Sequence, residues 1–117
     1  MPDGYVIWHN PKCSTSRFVL DALREAGIEP AVRNYLKEPP AREELREALA
    51  AMKIGARQLL RSKNKYYHDL ELNNPELTED DLVAAMAEYP ELIERPVLFG
   101  PKGAGLCRPK ETVFEMI

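Results

Sequence analysis

The chain has 117 residues, 44% hydrophobic and 30% charged, with a formal net charge of −3. That length suits one compact domain over residues 1–117, and the apolar content excludes a disordered chain. The acidic balance provides no field for nucleic acid, no apolar run approaches a membrane span, and Met1 to Gly4 show no export signal.

In chain order, Tyr5 to Trp8 reads as a short strand bounded by Gly4 and Pro11. A helix is expected to start near Ser14, with Val19, Ala22, Leu23 and Ala26 on its apolar face and Gly27 as its C′ residue. Ala31 to Leu36 reads as a second strand, interrupted by Pro39-Pro40. Leu45, Ala48, Leu49 and Met52 form a second helical stripe, and an apolar turn follows at Leu59-Leu60. Lys63 to Asn74 reads as irregular. Thr78 looks like an N-cap with Asp81 three residues on, and Leu77 and Leu82 stand at the positions of a hydrophobic staple. Leu82, Ala85, Met86 and Tyr89 make that helix's expected buried stripe, and Pro90 ends it. Pro96 to Phe99 reads as a third strand, Pro101 to Gly105 as a turn and Leu106-Cys107 as a short fourth strand. Pro109 suits the first position of a last helix carrying Val113, Phe114 and Ile117. The order β-α-β, helices, β-β-α predicts an α/β fold. It is a thioredoxin-like small mixed sheet with flanking helices and a helical insertion between the two halves.

The stretch WHNPKCSTSR puts Cys13 at the first strand-to-helix junction, followed by Ser14, Thr15 and Ser16. Free N–H groups at a helix start stabilise a thiolate. An ordinary thiol is only a few per cent ionised at neutral pH, and a helix dipole contributes roughly 0.3–1 kcal/mol, less than one pKa unit. More help is needed, from a protonated His9, a nearby arginine or the hydroxyls of Ser14 to Ser16. A buried structural cysteine is the alternative, but the polar surroundings of Cys13 favour a reactive one. Cys13 and Cys107 form no C-x-x-C pair, so reduced thiols in the cytoplasm are expected; a disulfide between them stays open as an alternative. His9, Cys13, His68 and Cys107 are zinc-ligand types without zinc spacing, and no metal is expected. A phosphatase-type loop needs an arginine where Val19 stands, and a dithiol switch needs a cysteine where Ser16 stands. The pattern C-x-x-S permits a one-cysteine mechanism with an external thiol.

Arg95 and Arg108 each precede a proline at an element end, on extended backbone, and Arg61 follows the Leu59-Leu60 turn. Arginine is permanently charged and its fork matches a tetrahedral oxyanion, so these three would form an anion pocket in an acidic protein if they converge. As isolated residues they would be solvated surface groups.

HNPKCSTSR, YLKEPPAREEL, ARQLLR, ERPVLFG and LCRP, in this order and spacing, together resemble the glutaredoxin-dependent arsenate reductase family. The resemblance implies reduction of arsenate to arsenite, with glutathione as co-substrate, glutaredoxin as partner and no bound cofactor. It makes Cys13 the nucleophile, with His9 lowering its pKa and Ser16 hydrogen-bonding the thiolate. It gives arsenate binding to Arg61, Arg95 and Arg108, with Asn10 in the same motif and Arg17 without a clear role. Phosphate or sulfate would fit the same pocket. Pro96 is expected to follow a cis bond, and Cys107 to serve packing. The sequence ends at Ile117, where the best-characterised members carry a charged extension. Two other readings are a glutathione-dependent thiol oxidoreductase of this fold with another substrate, and a regulator that binds RNA polymerase. Ser16 argues against the regulator, whose branch resembles C-x-x-C.

Overall fold

The structure is a computed structural model that describes residues 4–117; the export-signal reading at Met1 to Asp3 lies outside them. The chain divides into two compact units, one made of the residues up to Glu38 with Arg95–Ile117, the other of Pro39–Glu94.

The first unit holds the sheet. Strand β1 (Val6–His9) leads through helix α1 (Ser14–Glu25) to strand β2 (Ala31–Asn34). β1 and β2 pair in parallel, with His9 opposite Asn34. Two further strands come from the chain's far end, one at Val97–Gly100 and one at Gly103–Leu106, and the sheet order is β2, β1, then these two, both antiparallel pairings. A parallel pair needs a crossover, and α1 supplies it. Ile7, Val19, Leu23, Leu98, Cys107 and Val113 form the centre of the core on that side of the sheet. α1 ends as expected: Gly27 takes φ +81°, its N–H donates to Arg24 O, and Ile28 N–H donates to Leu23 O. Those two bonds are a Schellman ending, whose left-handed φ glycine adopts without the strain of a Cβ.

The second unit is helical: α2 (Arg42–Met52), α3 (Ala56–Leu59), α4 (Lys65–Asp69) and α5 (Glu79–Glu88), then a 3₁₀ turn at Pro90–Leu92. The Thr78 capping box is present, with Asp81 N–H donating to Thr78 Oγ1 and Thr78 N–H donating to the Asp81 carboxylate. Leu45, Ala48, Leu49 and Met52 are the buried face of α2, as its periodicity predicts. With α4 numbered, the strands Val97–Gly100 and Gly103–Leu106 become β3 and β4, and the last helix, Val113–Met116, α6.

Four expectations are corrected. Lys63 to Asn74 is not wholly irregular, because Asn64 caps α4 by accepting Tyr66 N–H, and the Tyr66 ring stacks on Tyr89 at 4.4 Å. α5 buries Val83 with Leu82 and Met86 rather than Ala85, since it packs against α2, α3 and the 3₁₀ turn at once. β4 starts at Gly103, and only Pro101 and Lys102 form the turn. The glycines that read as turn are strand residues; a Cβ at Gly105 would stand 3.0 Å from Met116 Sδ, so the bare position admits the α6 side chain. Pro109 precedes a 3₁₀ turn at Lys110–Thr112 rather than opening α6 itself.

Candidate active site

Asn10, Pro11, Lys12 and Cys13 form a turn between β1 and α1, closed by Cys13 N–H donating to Asn10 O at 3.0 Å. Pro11 fits the second turn position, where its fixed φ is an advantage. Arg17 Nη1 donates to Pro11 O at 2.9 Å, which gives that arginine a task the sequence left open: it ties the turn to the first coil of α1.

Cys13 is the N-cap of α1, with extended backbone (φ −96°, ψ 121°), and its carbonyl accepts the first helical bond from Arg17 N–H. An N-cap side chain meets the N–H groups two and three residues on. Here that side chain is a thiol; it makes no cap hydrogen bond but lies near enough to the Ser16 and Thr15 N–H groups to feel them. Partial burial pushes the Cys13 thiol up, but the N–H of Ser16, the Arg95 guanidinium and the N–H of Thr15 outweigh it, and the net shift is downward. Arg108 Nη2 stands 3.5 Å from the same sulfur, and its Nε donates to Arg95 O at 2.7 Å. Both arginines precede cis prolines, Pro96 as the resemblance implied and Pro109 in addition. Arg95 Nε is buried and has no hydrogen-bond partner among the described residues.

His9 is held by Ser16. Its Nδ1 lies 2.6 Å from the buried Ser16 Oγ, which also accepts Asn10 N–H at 3.1 Å. Burial, then Arg24 and Arg17, lower its pKa, with Asp21 opposing. The ring is therefore neutral at neutral pH, and a protonated His9 is not the source of thiolate stabilisation. Cationic help comes from Arg95 and Arg108. Arg61 belongs to the helical unit, where its Nη1 pairs with Glu94 Oε1 at 2.6 Å. Cys107 is buried, its thiol pushed up to about 12 by desolvation, and both cysteines are free thiols. Among the described residues no group of three or more His, Cys, Asp or Glu could hold a metal ion, and no helix is long and apolar enough to cross a membrane.

A β-α-β half and a β-β-α half, with a helix-capping thiolate and an arginine-proline at the opposing strand, define a thioredoxin-like thiol protein. The family profile that matches residues 8–116 is that of the ArsC family, and the chain belongs to it. It is 45% identical over 111 residues to an arsenate reductase of Rhizobium meliloti (strain 1021), covering 95% of this chain and 79% of that one. The arsenate reductase structure from Vibrio cholerae is 41% identical, covers 100% of both chains and superposes with a TM-score of 0.94. The Escherichia coli (strain K12) protein YfgD, described as uncharacterized, is 40% identical over 112 residues, 95% of this chain and 94% of that one.

Proposed function

We propose that this protein is an arsenate reductase in which Cys13 forms the arsenic adduct and glutathione with glutaredoxin supplies two electrons. The observation that carries this reading is the pair of guanidiniums at one sulfur: Arg108 Nη2 at 3.5 Å, with the Arg95 guanidinium near enough to lower the same thiol's pKa. A disulfide substrate has no use for such a pair, whereas a tetrahedral oxyanion does. The relatives named above as arsenate reductases supply the substrate.

In the first step the Cys13 thiolate bonds to arsenic, one As–O bond breaks and hydroxide leaves; arsenic remains at +5. Arg95 and Arg108 hold the oxyanion's charge, and the resemblance alone gives Arg61 a share of this task. Glutathione thiolate then forms a second As–S bond, and a second oxygen leaves as hydroxide after taking one proton. A glutaredoxin thiolate attacks the glutathione sulfur. The S–S bond forms, the S–As bond breaks and its electron pair stays on arsenic, now +3. Water cleaves the Cys13–As bond, arsenite departs and the thiol returns. Phosphate and sulfate fit the same cations but do not bond readily to sulfur, so discrimination falls on the first step.

His9 and Ser16 prepare the thiolate. Ser16 Oγ accepts Asn10 N–H and lies 2.6 Å from His9 Nδ1, which fixes the start of α1 so that the Ser16 backbone N–H stands where it lowers the Cys13 pKa. The reading puts the enzyme in the cytoplasm, where glutathione keeps thiols reduced.

The test is arsenate-dependent NADPH oxidation with glutathione, glutaredoxin and glutathione reductase. The native protein is active, Cys13→Ser is inactive, and Arg95→Ala loses roughly 10²-fold or more in kcat/KM, the cost of one oxyanion donor. No activity from a native protein whose Cys13 still reacts with iodoacetamide would refute arsenate as the substrate. A glutathione-dependent thiol oxidoreductase would then be the remaining reading.

A further inference from the structure

A cavity of about 420 Å³ is lined by Asn10, Pro11, Lys12, Asn34, Leu36 and Lys37. Its volume is that of a small-molecule site. It stands at the carboxyl ends of β1 and β2, the end of a parallel pair where α/β sheets take ligands. Asn10 and Asn34 follow and end these strands, and they behave alike. Asn10 Oδ1 accepts Lys12 N–H at 3.0 Å, and Asn34 Oδ1 accepts Leu36 N–H at 3.1 Å. A backbone donor fixes each amide with its oxygen inward, so each NH₂ remains a donor. The Lys12 and Lys37 ammoniums pair with no acid among the described residues, and none of the six lining residues is acidic. Four donor groups without a carboxylate suit a carboxylate ligand.

The wall runs directly into the nucleophile. Lys12 is bonded to Cys13, and the Asn10 carbonyl accepts the Cys13 N–H. The geometry points to this cavity as the carboxylate anchor for the thiol that attacks the Cys13–arsenic adduct, a small peptide thiol with two carboxylates such as glutathione. This rests on the arsenate reductase reading and assigns Asn10 to the thiol rather than to arsenate. A peptide residue spans about 3.5 Å, so a tripeptide held by its carboxylates reaches the neighbouring residue with its central side chain. The step served is formation of the glutathione S–As bond as an As–O bond breaks. Hydroxide leaves after one proton is taken up, and no electrons reach arsenic until the later thiol attack.

The experiment is calorimetric titration with S-methylglutathione, which cannot react, of the native protein and a Lys12→Gln/Lys37→Gln double variant whose fold is checked by circular dichroism. Native protein binds, and the double variant binds roughly tenfold more weakly, the loss of two exposed charge pairs. In turnover, the KM for glutathione rises by a similar factor relative to the KM for arsenate. Equal S-methylglutathione affinity in the two proteins, or no binding by the native one, overturns the anchor. A native protein that turns over no arsenate yet binds S-methylglutathione through the two lysines keeps the anchor and refutes the substrate.

Discussion

Arg108→Ala removes the guanidinium whose Nη2 stands 3.5 Å from Cys13 Sγ. Two unit charges at that separation attract by about 1 kcal/mol in bulk water and by about 5 kcal/mol at an effective dielectric of 20. Arg108 is exposed and Cys13 half-buried, so the aqueous end of that range applies, and the pair contributes about 1 kcal/mol, slightly under one pKa unit. The substitution also deletes the Nε bond to Arg95 O, which steadies the residue carrying the second cation. The Cys13 midpoint should therefore rise by about one unit. Arg108→Lys restores charge without the fork and should recover only part of the loss.

The assay is the rate of iodoacetamide alkylation against pH, paralleled by the ultraviolet absorbance of the thiolate. It reports one residue, because the Cys107 thiol is buried and pushed up to about 12. The gap between native and Arg108→Ala should narrow at about 1 M salt, where screening length falls to about 3 Å. An unchanged midpoint in a folded Arg108→Ala protein refutes the electrostatic role of Arg108 and leaves Arg95 and the α1 N–H groups as the stabilisers.

Three other outcomes are expected. His9 should titrate below its ordinary value of about 6.5 by NMR; because the folded pKa lies below the unfolded one, the unfolded chain takes the proton first as pH falls through about 6.5, and stability drops from there to the folded midpoint. His9→Gln should flatten that slope in urea melts, and a midpoint above 6.5 contradicts it. Gly100→Ala puts a Cβ 2.6 Å from Tyr5 Cε2, and the ring, whose hydroxyl donates to Met116 O, must shift; a loss of about 1–3 kcal/mol in urea unfolding is expected, and an unchanged midpoint sinks the clash. Thr78→Ala loses the acceptor for Asp81 N–H and should cost about 1 kcal/mol by the same measurement, with Thr78→Ser recovering most of it.

Elements with their own local signals were legible. The α1 face with Gly27, the α2 stripe and the Thr78 cap each follow from neighbouring residues, and the structure has all three. β4 was shifted because glycine marks turns in a sequence, while strand pairing belongs to the backbone, and the Gly105 vacancy is explained only by Met116. The α5 face was rotated because its partners lie up to 30 or more residues away in the chain, as Arg46 to Asp80 illustrates. At the site, Cys13 was legible from its place before a helix. The convergence of Arg95 and Arg108 was legible only through the family resemblance, not from local residues, since the latter meets the sulfur across 95 residues of sequence. The charge of His9 stayed open for the same reason: a histidine four residues upstream of Cys13 is visible in the chain, but not its burial, its Ser16 partner or the arginines that help lower its pKa.

The lowered His9 pKa sets the expected pH behaviour of the site. A thiolate held by a histidine cation would lose its partner as pH rises through about 6.5, giving reactivity with both an ascending and a descending limb. A thiolate held by guanidiniums and helix N–H groups meets partners that do not titrate below about pH 12. The alkylation profile of Cys13 should therefore rise once, through the lowered thiol midpoint, with no descending limb above it. A fall near pH 6.5–7.5 would restore His9 as the cationic partner. A flat plateau lost only in Arg95→Ala and Arg108→Ala assigns the charge to the two arginines.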